Sequence, residues 1–129
     1  MRIFGRSVVF LALALLLAAC GDDDRAKRAE WAREWLVDYL KEKPLVAGLR
    51  AKAPRVSDKL EIVIDVIVES PEKVAKLLNL SKMEQVGILQ VVCPKSGTKF
   101  WRILDDDQDI WVNLNGTDRN IITATCKRP

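Results

Sequence analysis

The chain has 129 residues, 30% of them Asp, Glu, Lys or Arg, a formal net charge of +3 and no histidine. That length allows one domain with a core of its own, and the missing histidine removes Ser-His-Asp and Cys-His nucleophile pairs together with every histidine-ligated zinc site. No phosphate-binding glycine loop or Cys-x-x-Cys pair is present, and no Lys/Arg block is dense enough to argue for nucleic acid.

At the N-terminus Arg2 and Arg6 precede an apolar stretch of twelve residues, Val8 to Ala19. As a helix this stretch spans roughly 18 Å, short of the ~30 Å of a bilayer core, so an export signal fits better than a permanent span. It ends on Leu17-Ala18-Ala19-Cys20 and turns acidic at Gly21-Asp22-Asp23-Asp24. Leu17-Ala18-Ala19-Cys20 resembles the lipobox of a bacterial lipoprotein signal peptide. The resemblance covers residues 1–20 alone. It implies a diacylglycerol on the Cys20 thiol, cleavage before Cys20 and acylation of the new amine, and two or more acyl chains hold a protein stably on a membrane. Gly21 stands where the enterobacterial inner-membrane retention signal has aspartate, which points to the outer membrane.

On this reading residues 1–19 are the signal peptide, 20–24 the anchor and a short linker, and 25–129 one periplasm-facing domain. Without Arg2 and Arg6 the 21 basic residues become 19, against 18 acidic ones, so the mature charge is close to +1. The remaining cysteines, Cys93 and Cys126, are expected to pair in an oxidising periplasm.

In chain order, Asp23 or Asp24 is placed to cap a helix running to about Lys41, with Trp31, Ala32, Trp35, Leu36, Tyr39 and Leu40 on one broad face. Pro44 stops it and suggests a short second helix through Leu45, Val46 and Leu49, followed by a loop from Ala51 to Arg55. Between Lys59 and Glu69 the period changes to two: Ile62, Ile64, Val66 and Val68 share one face of a strand, and Glu61, Asp65 and Glu69 the other. Ser70-Pro71 starts a helix, and Ser81-Lys82-Met83-Glu84 has the pattern of a capping box. Val86 to Cys93 reads as a buried strand.

Residues 99–104 and 110–114 resemble a hairpin, but a bridge needs its Cα atoms within about 7 Å. With a strand at 86–92, both cysteines reach the same end only if 99–104 is a short helix, capped by Thr98. Strands at 110–114 and 121–126, turning at Asn115-Gly116, complete the chain. The expected fold is α+β, with helices packed on a four-stranded sheet and one disulfide as a staple.

Candidate sites are few. Asp105, Asp107 and Asp109 alternate like calcium-loop ligands, but Ile110 and Gly116 stand where that loop needs glycine and glutamate. Carboxylates at Glu30, Glu34, Asp38 and Glu42 are close enough along a helix to form a pair for glycan chemistry. Surface solvation explains them as well, and no catalytic residue, metal ligand or cofactor is assigned. The four tryptophans suit either the core or a binding platform. The loop Asp105, Asp106, Asp107 and Asp109, flanked by Trp101 and Trp111, is the expected protein-binding patch. The sequence thus points to a lipid-anchored, non-enzymatic binding or assembly module for an envelope protein. An inhibitor or immunity protein against a toxin or cell-wall hydrolase is the first alternative, and a carboxylate-based glycan enzyme the second.

Overall fold

The computed structural model describes the backbone from residue 4 and side chains from residue 23, so the lipobox and the Cys20 thiol lie outside the described side chains. Helix α1 covers Phe4–Lys41. It does not start at Asp23 or Asp24. No proline interrupts the Leu- and Ala-rich run before them, and Asp24 is taken up by Arg28 one turn on, at 3.2 Å, instead of capping. Ala29, Ala32 and Leu36 are fully buried, whereas Trp31 is 56% exposed and so leaves the apolar face assigned to it. Among the described residues no helix is long and apolar enough to cross a membrane.

After Pro44 there is no second helix. The chain turns at Val46 to Leu49, with Gly48 at φ +88°, a backbone that other residues rarely adopt, and enters strand β1, Leu49–Ala51. The expected loop at 51–55 contains the end of β1 and the start of β2, Arg55–Val56. Both pair antiparallel with β3, Ile62–Val68, along the same edge. In β3 the alternation holds: Ile62, Ile64, Val66 and Val68 are buried towards the helices.

Helix α2, Pro71–Leu78, begins as expected, with the Ser70 hydroxyl accepting from Lys73 N. Helix α3, Lys82–Leu89, is opened by the reciprocal Ser81 and Glu84 capping box. It occupies the first half of the segment expected to be a strand and runs into a 3-10 turn, Gln90–Val92, which takes most of the rest. The box nucleates a helix, and burial then follows a helical spacing through Gln85, Leu89 and Val92 while Val91 is 41% exposed. A tertiary face has overridden β propensity.

Helix α4, Phe100–Ile103, is present where the disulfide argument placed it. Thr98 does not cap it; its hydroxyl donates to Lys95 O. Strands β4, Ile110–Asn115, and β5, Asn120–Thr125, form the terminal hairpin. The sheet order is β1-β3-β4-β5, with β2 beside β1 on β3, and the central pair β3 and β4 runs parallel from Ile62 opposite Ile110 to Ile67 opposite Asn115. A parallel pair requires a crossover, and α2 to α4 supply it.

The architecture is α+β in two layers. All four helices bury their apolar residues against one face of the sheet, around Leu36, Leu89 and Phe100. Among the described residues no layer covers the other face. Cys93 and Cys126 are bridged, with Cα atoms 5.6 Å apart and a sequence separation of 33. Closing a loop of that length contributes about 3 to 4 kcal/mol on the chain-entropy account, a large share of a small domain's stability. Cys93→Ser and Cys126→Ser are therefore each expected to lower stability by about that amount, and the double variant by no more than either. Urea unfolding measures the loss, and mass change on alkylation with and without reductant reports the bridge.

Candidate functional site

The acidic loop is organised from within. Gln108, fully buried, accepts from Asp105 N at 3.1 Å and donates to Leu60 O at 2.7 Å and Arg25 O at 3.3 Å. Leu60 itself stands in the left-handed region at φ 60°, uncommon for a branched apolar residue. The Arg128 guanidinium donates to the carbonyls of Asp105 and Gln108 and lies over the Trp101 ring, 5.7 Å from its centroid. Two of the four aspartates are engaged by α1: Arg25 meets Asp107 at 2.5 Å and Arg28 meets Asp105 at 3.1 Å. Asp106 and Asp109 remain exposed.

The structure does not bring the two flanking indoles together. Trp101 lies on the helix side, edge-on to Phe100 at 5.2 Å, and its N–H is shared between Pro94 O and Lys95 O. Trp111 lies on the uncovered face of the sheet and donates to Glu61 Oε2 at 2.8 Å. On α1, Trp35 stacks on Tyr39 at 4.8 Å, and the pair lines a shallow cavity of about 290 Å3 with Asp38 and Glu42. Glu30 is held below the usual carboxylate range by its hydrogen bond from Arg33, the opposite of what a general acid for glycan cleavage requires. Among the described residues no three Cys, Asp or Glu side chains converge to hold a metal ion.

The uncovered sheet face carries a second candidate, which single residues of the sequence do not announce. Its polar positions on β4, with Asp65 between Val63 and Ile67 on β3 and Thr123 on β5, are bonded strand to strand. Asn113 Nδ2 donates to Asp65 Oδ1 at 2.8 Å, and Thr123 Oγ1 donates to Asn113 Oδ1 at 2.7 Å. Arg55 Nε donates to Asp65 Oδ2 at 3.2 Å, and Asn115 reaches Asp65 Oδ1 at 3.4 Å. Asp65, whose side chain is 17% exposed, is the hub. Burial pushes its pKa up, but the hydrogen bonds from Asn113 and Arg55 and the charges of Arg55 and Lys52 outweigh burial and leave it below the ordinary value. By strand alternation Asp109, Trp111, Asn113 and Asn115 fall on this same face. The result is a flat amide, hydroxyl and carboxylate ladder beside one half-open indole. The polar alternation in "IWVNLN" signals such a face, but the pairing of Asn113 with Asp65 across 48 residues is a property of the register alone.

No protein-family model, curated protein or solved structure matches the chain. Function must therefore be argued from these residues.

The two surfaces respond differently to substitution. Gln108→Ala strands three part-buried backbone partners and is expected to cost about 2 to 4 kcal/mol. Asp105→Asn with Asp107→Asn removes only solvent-exposed ion pairs, at about 1 kcal/mol or less each. Urea unfolding followed by tryptophan fluorescence separates them, and equal losses would show that the glutamine is not the organiser of the loop.

A pH dependence follows for the ladder. A carboxylate whose pKa is depressed on folding stabilises above its unfolded value, about 3.9, and loses that stabilisation as pH falls through the lower folded value. Asp65→Asn is expected to melt below wild type at neutral pH. The gap should begin to narrow as pH falls below about 3.9 and close only below the lower folded value, as thermal scans across that range will show.

Proposed function

We propose that this chain is a lipid-anchored, periplasm-facing binding module that engages an envelope protein through the uncovered face of its sheet. The observation that carries the reading is the preorganised ladder of Asp65, Asn113 and Thr123 beside Trp111. Its polar groups are already held in place, and an aromatic ring 38% exposed adjoins them. Fixed hydrogen-bonding groups around an aromatic anchor are what a protein interface uses, since little side-chain freedom remains to be lost on binding.

The lipobox-like segment supplies the location, with Cys20 as the lipid-bearing residue. Helix α1 passes from Cys20 into the core without a break, and Arg25, which holds Asp107, stands about 7.5 Å of helix rise from Cys20. The acidic loop therefore lies at the membrane-proximal end. Asp106 and Asp109 remain as exposed charges that steer an approaching partner, while Asp105 and Asp107 serve the chain's own arginines. No cofactor and no nucleic acid enters this reading.

Cys20→Ala is expected to abolish fatty-acid labelling and to leave the protein uncleaved or soluble. Labelling of the variant at the wild-type level would remove the anchor from the proposal. For the surface, Trp111→Ala combined with Asn113→Ala should reduce capture of envelope partners by at least about tenfold, as expected for an interface anchor. Circular dichroism controls for folding. Unchanged recovery of every partner by this variant would move the site elsewhere.

A further inference from the structure

Between the last turn of α1 and strand β1 lies a groove of about 410 Å3. Leu40, Leu45 and Leu49 form its apolar bed, and each also packs on the core. Its charged lining is Lys41, Lys43, Arg50 and Lys52, with no carboxylate among the lining residues. Asp38 lies 3.9 Å from Lys41 and Glu69 lies 3.7 Å from Arg50, all four side chains more than half exposed, a setting in which ion pairs hold weakly. Among the described residues neither Lys43 nor Lys52 forms an ion pair. The Lys43 ammonium sits over the Tyr39 ring, 5.1 Å from its centroid.

The wall of this groove is also a free sheet edge. Among the described residues strand β1 has β3 on one side and no strand on the other. Gly48 O accepts from Glu69 N and Lys52 N donates to Asp65 O, so the antiparallel alternation turns the backbone groups of Ala51 and the carbonyl of Leu49 away from β3. An unpaired edge beside an apolar bed is the setting in which an extended peptide adds as one more strand.

We propose that this groove receives an extended segment of a partner protein in which carboxylates alternate with apolar side chains, laid along the free edge of β1. Apolar side chains of that segment enter the bed, and its carboxylates meet the four cations. The cations and the free edge call for such a segment with or without the anchor; only the choice of a protein over a lipid rests on the proposed anchor. The groove is at the far end of α1, about 30 Å of helix rise from Cys20, so a bilayer holding Cys20 is remote from the rim.

The test uses the full chain in non-ionic detergent micelles and a fluorescein-labelled, end-blocked peptide of about ten residues, valine alternating with glutamate. Anisotropy should show saturable binding that weakens at least about tenfold when salt is raised from about 50 to about 300 mM. Arg50→Glu with Lys52→Glu should weaken it by at least about tenfold. Lys43→Gln with Lys52→Gln is the milder variant should the first fail to fold. The same peptide with lysine for glutamate should not bind, and N-methylation at every second residue should weaken binding by about tenfold, because it removes the edge-pairing amides. Undiminished binding by the folded charge variants, by the lysine peptide or by the N-methylated peptide would overturn the proposal. So would binding to phosphatidylglycerol vesicles with none to the glutamate peptide. Because the peptide assay is indifferent to lipidation and spares Trp111, its failure is distinct from failure of the anchor or of the open-face site.

Discussion

Gln108 is the point on which the described part of the molecule converges. Its side-chain amide ties the carbonyl of Arg25 on α1 to that of Leu60 at the turn before β3, and its oxygen fixes the loop that leads into β4. One residue later, Ile62 N donates to Asp109 O, and the parallel pairing of β3 with β4 begins. A buried amide in this position is costly to desolvate and returns that cost only when every partner is in place. The glutamine therefore specifies one arrangement of three segments that are distant in sequence.

Helix α1 has two roles that this arrangement couples. Its small residues Ala29 and Ala32 let it lie close on the core, and Leu36, fully buried, adds about 1.5 to 3 kcal/mol of apolar burial. Its other faces remain polar, and Arg25 and Arg28 reach the acidic loop. A force applied at the N-terminal end of the helix is thus felt at the Arg25 carbonyl, and through Gln108 at the first pair of the central strands. A flexible linker would isolate the domain from a load on that end; a continuous helix does not.

Local chemistry was legible where one short stretch decides the outcome. The alternation of Ile62 to Val68, the Ser70-Pro71 start, the Ser81 to Glu84 box and the terminal hairpin each depend on a few neighbouring residues, and each is present. The segment from Val86 to Cys93 is the instructive departure. Its composition suits a strand, yet a helix nucleated at Ser81 propagates through Gly87 and buries Leu89 and Val92. The edge of β3 is taken by the short strands β1 and β2, largely in residues expected to form a helix and a loop. The helix at Phe100–Ile103 is present although the strand from which it was argued is not. What holds it is the burial of Phe100 against Trp35, 5.5 Å between ring centroids. In the candidate site, Trp111 and the loop aspartates stood out by residue type. The roles of Asp65, Gln108 and the groove cations arise from pairings between residues far apart in the chain, and no local pattern encodes them.

The order of the strands also bears on when the protein can become solid. Ile62 must meet Ile110 before the sheet has a centre, and Cys93 must wait for Cys126, three residues from the end of the sequence. Contacts this far apart close late, because a long loop must be ordered before any of them is rewarded. A chain emerging N-terminus first therefore offers helices and isolated edges, and no finished sheet, until β4 and β5 have been made. Until β4 has been made, such a nascent chain stays threadable, because no central strand pair has yet closed it.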